Sequence, residues 1–231
     1  MNARRRTLAA LATALCMLTA VAAGAGLDAV SNKDATAGLK AALEKGSGAA
    51  VDLLGRTDGF FGNSAVKIPL PESLRKYEKL MRGVGMGKYA DELVLTMNRA
   101  AEAAVPEAKA LLVDSVRKMS VQDAKGILTG GPTSGTDYFK HTTSEPLRAK
   151  FLPIVKKSTA KVKLADAYNR YAQKGVQFGL VKQEQANLDD YVTQKALDGL
   201  YTMVAEEEKK IRQNPVAAGS DIIKKVFGAL K

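Results

Sequence analysis

The sequence predicts an all-α chain, a single-domain bundle of roughly eight to ten helices. Three observations predict it. Apolar residues recur three and four positions apart in one segment after another, the spacing that gathers them on one helix face. Gly, Pro, Ser, Asn and Asp stand at the joints between those segments, where caps and turns need them. No stretch shows the alternation of a half-buried strand, and no internal repeat is present.

The elements follow in order. Ser31, with Asp34 three residues on, opens a first helix in which Leu39, Leu43, Gly46, Ala50 and Leu53 share a face; Gly46 allows close approach of another helix. Arg56–Pro71 (RTDGFFGNSAVKIPLP) is a long irregular connection with an exposed-looking Phe60–Phe61 pair and a short extended piece at Val66–Leu70. A second helix from Glu72 carries the stripe Leu74, Tyr77, Leu80, Met81 and Val84. The glycines from Gly83 to Gly87 end it, and a third runs from Lys88 to Ala104 with Tyr89, Leu93, Met97 and Ala101 inward. Pro106 sits at the start of a fourth, to Lys118, and Ser120 with Asp123 opens a short fifth to Leu128. After a Gly/Ser/Thr loop come Glu145–Ser158, kinked by Pro153, and Leu164–Lys174. Gln177–Ala186 reads as a linker, and Asn187 caps a long helix to Arg212. Pro215 begins an amphipathic last one, in which Ile222, Ile223, Val226, Phe227 and Leu230 oppose Lys224 and Lys225.

Residues 1–25 read as a signal peptide, leaving 26–231 as the helical domain. Arg4–Arg6 are followed by the apolar run Leu8–Val21 and then by small residues that suit signal-peptidase cleavage. The run is short and Ala-rich for a membrane span. Cys16 lies inside it, behind the bulky Leu15, which argues against a lipid-modified cysteine. Cleavage leaves a chain without cysteine, which excludes disulfides, thiol nucleophiles and Cys-ligated metals. The expected location is the periplasm. The whole chain has 35 Lys+Arg against 24 Asp+Glu, net +11, and without Arg4–Arg6 it is net +8. In an exported protein that excess points to an anionic small molecule, lipid or polysaccharide before nucleic acid. The last helix adds peripheral membrane contact to the readings, beside simple packing on the domain.

Two glycine clusters invite a phosphate-loop reading. Gly83–Lys88 fails it: Arg82 stands where a Walker loop needs its first glycine, Tyr89 where it needs Ser or Thr, and a helix rather than a strand precedes it. The stretch Gly130–Asp137 (GGPTSGTD) suits an anion better. Gly130 and Gly131 free backbone amides, Thr133, Ser134 and Thr136 bring hydroxyls, and Lys140 and Arg148 follow. From Phe139 to Lys163 there are seven Lys/Arg and a single acid, Glu145. The competing reading is a surface loop in which Thr136 or Asp137 caps a helix.

Catalytic signatures are weak. His141 is the sole histidine, no Glu-x-x-His pair suggests a di-iron site, and no nucleophile elbow is present. No metal and no cofactor is expected. Asp189 and Asp190 fit the negative charge favoured in a first helical turn. Glu206–Glu208 fit side-chain pairs with the basic residues that follow, Glu206 with Lys210 and Glu208 with Arg212.

Five segments together carry a resemblance: KIPLPESLRKYEKLMRGVGMGKYADEL, MNRAAEAAVPEAKALL, DAKGILTGGPTSGTDYFKHTTSEPL, FLPIVKKSTAKV and NLDDYVTQKALDGLYTMVAEEEKKIRQNPVAAGSDIIKKVFG. Over essentially the whole mature length the chain resembles the family called domain of unknown function 4197. The resemblance implies a helical protein exported in Gram-negative bacteria, and it implies no activity. The expected function is therefore non-enzymatic binding or an envelope-associated role. The ligand would be an anion held by the Gly130–Thr136 loop with Lys140 and Arg148. The alternatives are a carboxylate- or metal-dependent hydrolase built from Asp189, Asp190, Glu206 and Glu207 with His141, or a scaffold using Phe60, Phe61 or the C-terminal helix.

Overall fold

The computed structural model describes residues 30–85, 87–178, 181–182 and 186–230; the leader expected over residues 1–25 lies outside them. All regular structure among the described residues is helical: α1 (Asn32–Leu54), α2 (Glu72–Gly83), α3 (Gly87–Ala104), α4 (Ala108–Lys118), α5 (Val121–Thr129), α6 (Ser134–Thr159), α7 (Lys163–Gln177), α8 (Leu188–Gln213) and α9 (Asp221–Gly228), with a turn of 3₁₀ helix at Val105–Glu107. The all-α expectation holds, and no described helix is long and apolar enough to cross a membrane.

Three starts are set by side-chain caps legible in the sequence. Ser31 Oγ accepts the Asp34 amide, Ser120 and Asp123 form a reciprocal capping box, and Asn187 Oδ1 accepts the amides of Asp189 and Asp190. The turn after α2 uses Gly85 at φ +77°, a left-handed conformation that glycine adopts without strain.

The centre is the pair α6 and α8, each 26 residues long and about 39 Å from end to end. They are antiparallel: Gly135 at the start of α6 meets Glu208 late in α8, and Thr159 at the end of α6 meets Asp189 early in α8. Helix α3 packs on both, while α1 lies along α8 and carries α4, α5 and α9 on its other sides. Phe139, Leu147 and Phe151 of α6, Leu188 and Leu200 of α8, Leu39 and Leu54 of α1 and Met97 of α3 are fully buried between them. Two of the close approaches that need glycine lie on α1 and α8. A Cβ at Gly38 would lie 2.5 Å from Val226 Cγ2 of α9, and one at Gly199 would lie 2.6 Å from the Phe60 ring.

Four expectations are corrected. The sixth helix starts at Ser134, not Glu145, and runs through both Pro146 and Pro153. Each proline leaves a carbonyl without its backbone donor, and α6 is rich in hydroxyls that bond backward within it: Thr142 to Tyr138 O, Thr143 to Phe139 O and Ser144 to Lys140 O. Phe60 is not exposed but lies in the core, and Phe61 is half-buried with the Lys67 ammonium 4.0 Å over its ring. Pro215 opens a turn to Ala218, and α9 begins six residues later at Asp221. Val84, expected in the apolar stripe of α2, is 64 % exposed; the side chains of Tyr77, Leu80 and Met81 lie outside the described set.

One core hydroxyl is unsatisfied. Thr193 Oγ1, on α8, is fully buried and has no hydrogen-bond partner among the described residues. An unpaired buried hydroxyl is destabilising, and valine has the same shape without it. Thr193→Val should therefore raise the unfolding free energy by about 1 kcal/mol, measured by urea denaturation; unchanged or lower stability would mean that the hydroxyl is satisfied in solution.

Candidate functional site

The start of α6 binds an anion, and the anion is the protein's own. The Gly135 amide donates to Glu208 Oε1 at 2.9 Å, and the Thr136 amide and hydroxyl donate to Oε2 at 2.8 Å each. Arg212, one turn later on α8, holds the same carboxylate through Nε at 3.2 Å and Nη2 at 3.0 Å. Glu208 is buried, with 6 % of its surface exposed. Freed amides at a helix N-terminus are what favour an anion there, so the physics read from GGPTSGTD is present. Glu208 already fills the position.

The rest of the loop closes on itself. The Gly130 amide donates to Ile127 O, and the Gly131 carbonyl accepts from the amide and hydroxyl of Ser134. Thr133 occupies the cap position without a side-chain capping bond. Arg148 lies twelve residues beyond Thr136 on the same helix, roughly 18 Å away. The structure thus divides the expected anion site into a filled turn and a separate surface carrying Lys140 and Arg148.

That surface is a groove of about 470 Å³ between α6 and α8. Lys140, Ser144 and Arg148 line it from α6, four residues apart and so on one face, with Glu145 beside Ser144. Gln194, Leu197, Asp198, Tyr201, Thr202, Ala205, Glu206 and Lys209 line it from the facing side of α8. Its volume is that of a small-molecule site, but its walls are more polar than most. Arg148 gives only Nη2 to Asp190, at 2.6 Å. Lys140 Nζ stays 3.6 Å from Asp137, beyond hydrogen-bond length, and Lys209 pairs with Glu206 at 2.9 Å. At the floor Tyr201 Oη lies 2.9 Å from Thr143 Oγ1 and 3.2 Å from Ser144 Oγ. Burial pushes the Tyr201 phenol up from its usual range.

The carboxylates proposed for a hydrolase do not converge. Asp189 accepts from Thr159, Asp190 holds Arg148, Glu206 pairs with Lys209 rather than Lys210, and Glu207 pairs with Lys210. Glu208–Arg212 is the pair that spacing predicted. His141 is exposed on α6, and no group of three or more His, Cys, Asp or Glu gathers among the described residues. On α9, Ile223, Val226 and Phe227 are buried and the helix packs on α1.

Set against known families, residues 29–228 match the model described as protein of unknown function (DUF4197). The chain belongs to that family. The match runs from just before α1 to the end of α9, so it takes in both walls of the groove as well as the filled turn. No curated protein and no solved structure gives a significant match. Family membership fixes no activity, and the functional reading rests on the groove.

Sequence reasoning missed the role of Glu208, although a signal for it exists. Leu200, Val204, Glu208 and Ile211 recur three and four apart, so this acid, unlike Glu206, continues the buried stripe of α8.

Proposed function

We propose that the mature chain is an exported, non-enzymatic binding protein that holds a small acidic ligand in the groove between α6 and α8. Arg148 carries this reading. It is 35 % exposed at the groove wall, and Asp190, its partner among the described residues, engages one of its nitrogens. A guanidinium has five N–H donors in a fork that suits carboxylate or phosphate, and most of those of Arg148 have no partner among the described residues. Lys140, two turns earlier on the same face, adds a second cation. The net charge of the mature chain favours approach of an anion. Arg4–Arg6 and the apolar run after them support export.

The test uses protein purified from the periplasm, its intact mass reporting loss of the leader, titrated with inorganic phosphate and with glucose 6-phosphate while backbone amide NMR shifts are followed. Shifts are expected around Ser144, Arg148, Tyr201 and Thr202, with affinity at least tenfold weaker in Arg148→Ala, equivalent to about 1.4 kcal/mol. Shifts confined to Gly130–Thr136, or absent from both helices, would defeat the groove reading.

A further inference from the structure

The hydroxyls lining the groove have no protons to give a ligand. Ser144 Oγ lies 2.6 Å from Lys140 O and Thr202 Oγ1 lies 2.8 Å from Asp198 O, so each donates its single proton to the carbonyl four residues back. Thr143, behind Ser144, does the same to Phe139 O at 2.6 Å. The oxygens of Thr143 and Ser144 can then only accept from Tyr201, whose one phenolic proton goes to the nearer, Thr143 at 2.9 Å. Four hydroxyl protons are committed to three backbone carbonyls and one inward contact. What Ser144, Tyr201 and Thr202 can offer a ligand is lone pairs. A phenol is protonated at neutral pH, and burial pushes Tyr201 further that way, so this count holds there.

The carboxylate beside them makes the same demand. Glu145 is exposed, lines the groove, and has no hydrogen-bond or ion-pair partner among the described residues. A purely acidic ligand would satisfy Arg148 and Lys140 while bringing like charge to Glu145 and no donor to the floor. Along α6 the order is cation, acceptors, cation, at Lys140, Ser144–Glu145 and Arg148, with about 6 Å of helix between neighbours.

We infer that the groove selects zwitterions: an acid for Arg148 and Lys140, and within about 6 Å an ammonium for Glu145 and the oxygens of Tyr201 and Ser144. Amino acids and amino-sugar phosphates have this chemistry. The inference rests on the groove reading above and sharpens it.

The test compares three probes on the mature chain at neutral pH by calorimetry and amide NMR: glucosamine 6-phosphate, glucose 6-phosphate and glucosamine. Glucosamine 6-phosphate should bind at least tenfold tighter than either. Glu145→Gln should bring its affinity close to that of glucose 6-phosphate, which should itself bind no more weakly than to the parent. Tyr201→Phe should narrow the ratio as well. Glu145 is exposed, so its variant reads out selectivity without a folding penalty. Equal binding of the two phosphates, with shifts on α6 and α8, would overturn the zwitterion inference and leave the groove reading standing. A preference for the amine that survives Glu145→Gln would also overturn it. Absence of groove shifts with all three probes would overturn both readings.

Discussion

Replacing Glu208 with alanine is expected to lower the unfolding free energy by about 3–5 kcal/mol, the range for removing one partner of a buried ion pair. The carboxylate is the shared acceptor of the Gly135 amide, the Thr136 amide and the Thr136 hydroxyl, and it neutralises Arg212, whose side chain is only 13 % exposed. Truncation leaves three donors and Arg212 Nε without an acceptor and the guanidinium without its counter-ion, where little water can replace them. Arg212 also donates to Ile127 O near the end of α5 at 2.9 Å and lies 5.6 Å from the Phe227 ring of α9. The loss therefore reaches four helices. For a domain of this size it corresponds to a melting temperature lower by on the order of 10 °C. Glu208→Gln keeps one acceptor and should fall between the alanine variant and the parent. The double variant Glu208→Ala/Arg212→Ala should be clearly less destabilised than the sum of the two single variants, because each single change strands the partner. Additive losses, or an alanine variant within about 1 kcal/mol of the parent, would show that the carboxylate does not hold this junction.

The same junction shows what could be read from the sequence and what could not. Local chemistry was legible: the Ser120–Asp123 box, the Asn187 cap, the glycine turn at Gly85 and the Glu208–Arg212 spacing all involve residues within a few positions of one another. The anion-binding character of the α6 start was legible for the same reason. The identity of the anion was not, because Glu208 and Thr136 are 72 residues apart and no spacing rule links them. The boundary of α6 was misread because Gly135 and two prolines argue locally against helix. Burial decided otherwise: Thr136, Phe139, Thr143 and Leu147 form a continuous inward stripe. The groove was half legible, since Lys140 and Arg148 were singled out from α6 while its α8 wall could be known only once the two helices were seen to pair.

Asn98→Ala is expected to be the next most damaging change, costing about 2–4 kcal/mol by loss of a buried hydrogen-bond set. The segment just before α2 has no regular secondary structure, and Asn98 of α3 pairs with its main chain as a neighbouring strand would. Its Oδ1 accepts the Ile68 amide at 2.8 Å, and its Nδ2 donates to Ile68 O at 2.9 Å and to Val94 O at 2.8 Å. A primary amide presents the same donor and acceptor as a peptide group, so this side chain completes both main-chain bonds of Ile68. Asn98 is fully buried and Ile68 almost so, which leaves no water to substitute. Alanine would strand the Ile68 amide and carbonyl and release the segment that seats Val66, Ile68 and Leu70 in the core. Asn98→Asp separates hydrogen bonding from packing. The carboxylate still accepts from the Ile68 amide but faces two carbonyl oxygens, one of which it can satisfy and only when protonated, so its folded pKa lies above its unfolded one. A raised folded pKa means that the native state binds the extra proton between the two values, and stability falls as pH rises through that window. Denaturant midpoints for Asn98→Asp should therefore decline from pH 4 to pH 7 relative to the parent, while those for Asn98→Ala stay offset by a constant amount. Parallel pH profiles for the two variants would mean that Asn98 acts only by filling space.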